Sequence, residues 1–374
     1  MLTSILILAL AAAPQTRTLA FDDAGWKHAD PKARVESLGG RTALRLTTGM
    51  STRRDVEFTD GTIEFDLWST GERAFAYIHF RMQSEEESEG IYFRLHKSRL
   101  PDAIQYEPVY QALANWQLFH GPESTASVDL PAGRWIHVRL VVKGEKAALF
   151  VGDAKLPTLA IPRLLRGAKG GFIALRSFLG ANIQGEVEPP SSFANLVVRP
   201  GDEGGVDFTK IVEKPAPPLP GLVTTWRLTP AFEPPQGIVA ALPATPMVGA
   251  EKVATVLPSG LLVIGRELTA PKARRYATVA SIRVRAAAAG VKRLKLGYSD
   301  EASVFLNGQI LFSGDARYIF NFPRQEGLIH LDQAAVYLPL REGVNEVRIV
   351  VSETFGGWGI MGQFDDPTGL TVEP

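Results

Sequence analysis

Apolar and polar side chains alternate with a period of two along most of this chain, in runs of strand length. TALRLTT (42–48), GTIEFDLWS (61–69), FAYIHFRM (75–82) and IYFRLHK (91–97) read this way. So do RWIHVRLVVKG (134–144), KAALFVGD (146–153), GGFIALRSF (170–178) and SFANLVVRP (192–200). Gly, Pro, Asn and Asp punctuate the runs, and few segments carry a helical period. The pattern predicts hairpins stacked into a sandwich or barrel. After Pro200 the character changes: GDEGG and EKPAPPLPG (213–221) predict an extended, semi-rigid connector. A second set of runs follows, from SGLLVIGREL (259–268) through YATVASIRVRA (276–286) and KRLKLGYSD (292–300) to a segment at 335–364. Within it, LNGQ is an Asn-Gly turn between two apolar strands, a strong hairpin signal. The expected fold is all-β, with two tandem antiparallel β-sandwich (jelly-roll) domains over 21–200 and 222–374. A Pro-rich linker at 201–221 joins them.

Composition narrows the class. With 374 residues, 45% apolar and 21% charged, each domain can build a core. Lys plus Arg equals Asp plus Glu at 40 each, which argues against nucleic acid as the main partner. There is no Cys, so disulfides, thiolate metal sites and a Cys nucleophile are excluded. The apolar run from Ile5 to Ala13 is shorter than the roughly 20 residues of a membrane span. It fits the core of a secretory signal, with Ala11 and Ala13 as the small residues before a cut. Residues 1–20 are therefore expected to be a signal peptide. The remainder is expected to be secreted or periplasmic, with no membrane span after its removal.

Strand parity then singles out a surface. In GIYFRLHKS (90–98), Ile91, Phe93 and Leu95 fall on one face and Tyr92, Arg94 and His96 on the other. In the preceding run Tyr77, His79 and Arg81 share a face, and in GTIEFDLWS so do Glu64, Asp66 and Trp68. If the hairpins pair in sequence order, neighbouring strands present these groups on the same side of one sheet. Gln105, Tyr106, Trp116 and Gln117 follow in a turn-rich piece. Aromatic faces stack on the C–H faces of sugars, while Arg and Gln give fixed sets of donors. The set therefore points to a glycan or oligosaccharide as partner, with these side chains as contacts. An enzyme on the same face, a glycoside hydrolase or polysaccharide lyase, is the alternative. There His79 or His96 would be the acid/base, Arg81 or Arg94 would hold an anion, and Glu64 or Asp66 would assist. A structural or adhesion module whose polar face pairs with another protein is the third reading. The run SEEESE (84–89) reads as a solvated hairpin tip; a calcium rim site is its alternative, since hard cations take converging oxygens. His28, His120, His137 and His330 show no metal-ligand spacing, so no metal or cofactor is assigned. In ETFGGWGIMGQF, Trp358 is read as packing at a sandwich edge.

The series from DGTIEFDLW through YFRLHKSRLPDAIQYEPVY and GRWIHVRLVVKG to FANLVV resembles the laminin-G-like, concanavalin A-type jelly roll of bacterial exported proteins. The related 3-keto-disaccharide hydrolase type domain shares the glycine-rich strand followed by an F-x-N-L strand. Glycoside hydrolase family 16 uses the same fold, and Glu64 and Asp66 match part of its catalytic pattern. SDEASVFLNGQILF and LPLREGVNEVRIVVSE resemble a galactose-binding-like jelly roll. The resemblance implies two sandwiches and a carbohydrate-related role.

Overall fold

The computed structural model describes residues 15–179, 189–214, 219–243, 250–318 and 326–374. The leader-like run at Ile5–Ala13 lies outside the described residues. The first unit packs two eight-stranded antiparallel sheets face to face. The back sheet runs in the order Leu159–Ile161, Lys146–Val151, Arg134–Lys143, Gly61–Ser69, Ser191–Pro200, Arg41–Leu46, Arg34–Leu38, and Arg17–Thr18 pairs with Ser191–Pro200. The front sheet runs Leu113–Ala114, Ile104–Tyr110, Glu87–Arg94, Phe75–Ser84, Gly171–Phe178, Gly49–Phe58, Trp26–His28, and Thr125–Ala126 pairs with Ile104–Tyr110. Parity explains the core. Ile63, Phe65 and Leu67 of the back sheet meet Ile78, Phe80, Ile91 and Phe93 of the front sheet, all fully buried. Each such side chain contributes about 1.5–3 kcal/mol on burial. Leu19 joins the same core, which is why the short Arg17–Thr18 strand is held at the edge.

The second unit has a seven-stranded sheet, with Tyr276–Ala286 and Gly343–Glu353 at its centre. A four-stranded sheet of Leu262–Val263, Gly359–Phe364, Gly290–Ser299 and Ala334–Leu340 packs on it. The Asn-Gly turn forms as its sequence requires. Asn307 and Gly308 take φ of 50° and 86°, closing the hairpin between Glu301–Leu306 and Gln309–Asp315. Trp358 is fully buried in this core, donating its indole N–H to the Val351 carbonyl at 3.1 Å. Among the described residues no helix is long and apolar enough to cross a membrane.

The connector differs from a free spacer. Phe208 and Ile211 pack onto Val141, Ala148 and Phe150 on the outer face of the back sheet. Lys146 donates to the Phe208 carbonyl at 3.0 Å. Two apolar side chains thus dock the first part of the connector, while residues 215–218 of its Pro-rich run lie outside the described residues.

Candidate functional site

Register brings part of the expected set together on the outer face of the front sheet. Arg176, Tyr77, Tyr92 and Gln105 form one row across four strands. Phe178, Phe75 and Arg94 form the next row. On the other side of the first row lie His79, Gly90 and Glu107. Gly90 leaves room there: a Cβ would lie 3.4 Å from both the Glu107 carbonyl oxygen and His79 Nδ1. The Tyr77 ring stacks on Tyr92 at 4.9 Å and on His79 at 5.4 Å. Phe75 contacts Tyr92, His96 and Phe178 at 6.2, 5.2 and 6.0 Å. Phe75, Phe178, His96 and Arg176 are half-buried, so the face is accessible at this end.

The polar floor is closed. Tyr77, His79, Tyr92, Arg94, Gln105 and Glu107 are all buried. Arg94 donates to the Asp102 carbonyl and to Gln105 Oε1, both at 2.6 Å, and also to the Tyr92 hydroxyl. The Gln105 amide accepts from the Tyr92 hydroxyl at 2.6 Å and donates to the Trp116 carbonyl at 2.8 Å and to that of Phe119. Arg94 and Gln105 are thus bound to their neighbours and set the shape of the floor. His79 Nδ1 bonds Ser88 Oγ at 3.0 Å, while its Nε2 and both Glu107 carboxyl oxygens are buried without a hydrogen-bond partner among the described residues. Burial pushes the Glu107 carboxyl up to about 7, against the pull of Arg94 and Arg176. Burial, with Arg176 adding, pushes the His79 imidazole down to about 3. His96 is pushed down to about 4 by burial and then by Arg73 and Lys97. Near neutral pH the floor therefore carries two neutral imidazoles and a carboxyl balanced between its two forms.

Four expectations fail, each for a local reason. Arg81 leaves the face because the strand bulges there. Its φ is 50° and the register shifts on both sides, so its guanidinium turns away to Thr59 O, Gly167 O, Gly144 O and Asp60 at 2.7–2.9 Å. Met82, now out of phase, joins Phe172 and Ala174 on the outer side. Tyr106 has core parity and donates to Glu89 at 2.9 Å. Glu89 itself, expected at a solvated tip, is fully buried. Burial raises its carboxyl to about 7, although the Arg166 N–H and the Tyr106 hydroxyl bond to it. Glu64 and Asp66 lie on the other sheet, because Gly61–Ser69 pairs with Arg134–Lys143 and Ser191–Pro200. Glu64 pairs with Arg199 at 2.6 Å, and Asp66 is engaged by Arg41, His137 and Asn195 at 2.6–3.0 Å.

Trp116 and Gln117 sit at the junction with the second unit. Trp116 packs against Tyr318 and Phe355 at 5.5 and 6.2 Å. Gln117 is fully buried; its amide accepts from the Ser299 hydroxyl at 3.0 Å and donates to the Glu326 carbonyl at 3.3 Å. A cleft of about 360 Å³ opens beside this junction, with Phe119, His120, Arg163, Leu257 and His330 among its lining residues. Among the described residues no group of three or more His, Cys, Asp or Glu is placed to hold a metal ion.

Sequence reasoning missed Glu107 and Arg176. Both signals were present. Glu107 has the parity of Gln105, and Arg176 alternates with Ile173 and Leu175, which face the core.

No family model matches the chain, and no curated protein matches it. Solved structures do. A carbohydrate-binding module, CBM66 from Bacillus subtilis, is 12% identical over 46% of this chain and 95% of its own, with a TM-score of 0.35. A Bacillus licheniformis beta-glucanase is 14% identical over 51% of this chain and 99% of its own, with a TM-score of 0.33. A Crh5 transglycosylase in complex with NAG is 14% identical over 51% of this chain and 86% of its own, with a TM-score of 0.36. Each is a partial likeness, spanning about half of this chain.

Proposed function

We propose that the outer face of the front sheet binds a carbohydrate. One observation carries the reading: half-buried Phe75 and Phe178 stand beside the guanidinium of Arg176, above a rigid floor of Tyr77, Tyr92 and Gln105. Aromatic rings supply the apolar contact that a pyranose needs, and the cation supplies oriented donors. Paired-carboxylate hydrolysis asks for two carboxyls about 5–9.5 Å apart. Among the described residues of the Phe75–Ser84, Glu87–Arg94 and Ile104–Tyr110 strands, Glu107 is the one carboxyl on this face. Binding is therefore the first reading. The raised Glu107 carboxyl favours a second, in which it acts as a proton donor in glycan cleavage.

The same proposal covers the finer assignments: a laminin-G-like first sandwich, a galactose-binding-like second one, and a secreted or periplasmic place. The test is a glycan array and a polysaccharide-turnover screen of wild type beside Phe178→Ala and Glu107→Gln. Binding weakened about tenfold or more in Phe178→Ala supports recognition on this face. Product release that vanishes in Glu107→Gln supports the enzyme. No glycan retained on the array and none cleaved in the turnover screen refutes both.

A further inference from the structure

The face carries an imbalance of charge. Arg94 is spent on Asp102, Tyr92 and Gln105. Arg81 is turned away, and Arg54 pairs with Glu85 at 2.9 Å. Arg176 makes no hydrogen bond or ion pair among the described residues. Its guanidinium lies 5.6 Å from the Tyr77 ring centre and 5.5 Å from that of Phe178. Those rings fix its position without using its donors. Glu107, three strands away with those of Tyr77 and Tyr92 between, is buried and makes no hydrogen bond to it. A half-buried cation whose in-plane donors are unused among the described residues, flanked by aromatic rings, matches an anion borne on an apolar-faced ring. A neutral sugar would offer the fork only uncharged hydroxyl oxygens. A carboxylate or sulfate offers paired oxygens and the compensating charge.

From this geometry we infer that the saccharide held on this face is acidic, with its carboxylate or sulfate docked on Arg176 and its ring on Phe75 and Phe178. The inference rests on the reading of this face as a glycan site, and it names the class of glycan.

The test is calorimetric binding of three soluble oligosaccharides of matched length: a neutral glucan, an oligouronide and a sulfated oligosaccharide. Wild type, Arg176→Lys and Arg176→Gln are compared at low and high salt, with circular dichroism to show that each is folded. An acidic arm should bind roughly 10- to 100-fold more tightly than the neutral one, the scale of a charge-assisted hydrogen bond. The preference should shrink at high salt. Arg176→Gln should abolish it, bringing the acidic arms down to the level of the neutral one, and Arg176→Lys should keep a part of it. Which acidic arm binds identifies the group as carboxylate or sulfate. Neutral glucan bound as tightly as the acidic arms overturns this inference alone. So does an acidic preference that survives Arg176→Gln. No binding in any arm overturns it together with the glycan reading.

Discussion

Replacing Glu107 by Gln isolates the cost of holding an ionised carboxyl in the floor of the front sheet. The carboxyl is 1% exposed and neither oxygen has a hydrogen-bond partner among the described residues. Its pKa rises from an ordinary 4.5 to about 7 in the folded protein, because burial penalises the charged form. The folded state thus holds the proton more tightly than the unfolded chain does. Between 4.5 and about 7 unfolding releases that proton, so stability falls as pH rises through this window and levels off above it. At about 1.4 kcal/mol per pH unit, the full cost is about 3 kcal/mol. Gln has the same shape and no charge. Glu107→Gln should match wild type near pH 4 and exceed it by about 3 kcal/mol near pH 9. For a unit of this size that corresponds to about 6–12 °C in Tm. Urea unfolding of both proteins across this pH range gives the difference directly. A difference that stays constant with pH, or that favours wild type at alkaline pH, would refute a buried and uncompensated Glu107.

Other outcomes follow from the same geometry. Gln105→Leu strands the Arg94, Tyr92, Trp116 and Phe119 partners of the amide, and should cost about 3–5 kcal/mol in urea unfolding. Arg81→Met removes four bonds from a buried guanidinium and should cost about 3 kcal/mol, read as a lowered Tm. The hydrogen bond that His137 Nδ1 donates to Asp66 raises the imidazole pKa above 6.5, so in Asp66→Asn the imidazole should titrate lower in an NMR pH series. The stabilisation from that pair is present below 6.5 and is lost as pH rises through the elevated value. Trp116→Ala removes the contacts to Tyr318 and Phe355, and should speed limited proteolysis between the two units.

Much of the fold was legible because strand parity is a two-residue rule. Ile91, Phe93 and Leu95 entered the core and Tyr92 and Arg94 faced outward, as alternation required. The site was less legible, for three physical reasons. A single left-handed residue at Arg81 reset the phase within its own strand, and nothing in FAYIHFRM marks it. Strand order also does not follow sequence order. Gly61–Ser69 is next to Phe75–Ser84 in the chain but lies in the opposite sheet, which removed Glu64 and Asp66 from the face. Tyr106, finally, is next to Gln105 in sequence but faces the core, because adjacent strand residues point to opposite sides.

The loop that carries Trp116 and Gln117 has a practical meaning for anyone dissecting this protein. Tyr110, Leu118 and Phe119 from one half and Leu261, Val263, Ile329 and Met361 from the other make a common apolar cluster. The Gln117 backbone N–H and carbonyl bond Gly356 and Ile329 across the seam. Excising either half as a stand-alone module would wet those greasy side chains and remove the neighbours that brace the loop. Because Gln105 leans on the same loop through the Trp116 and Phe119 carbonyls, a severed first half would also lose the support beneath the outer face of its front sheet. The two sandwiches are best expressed, assayed and engineered as one inseparable body.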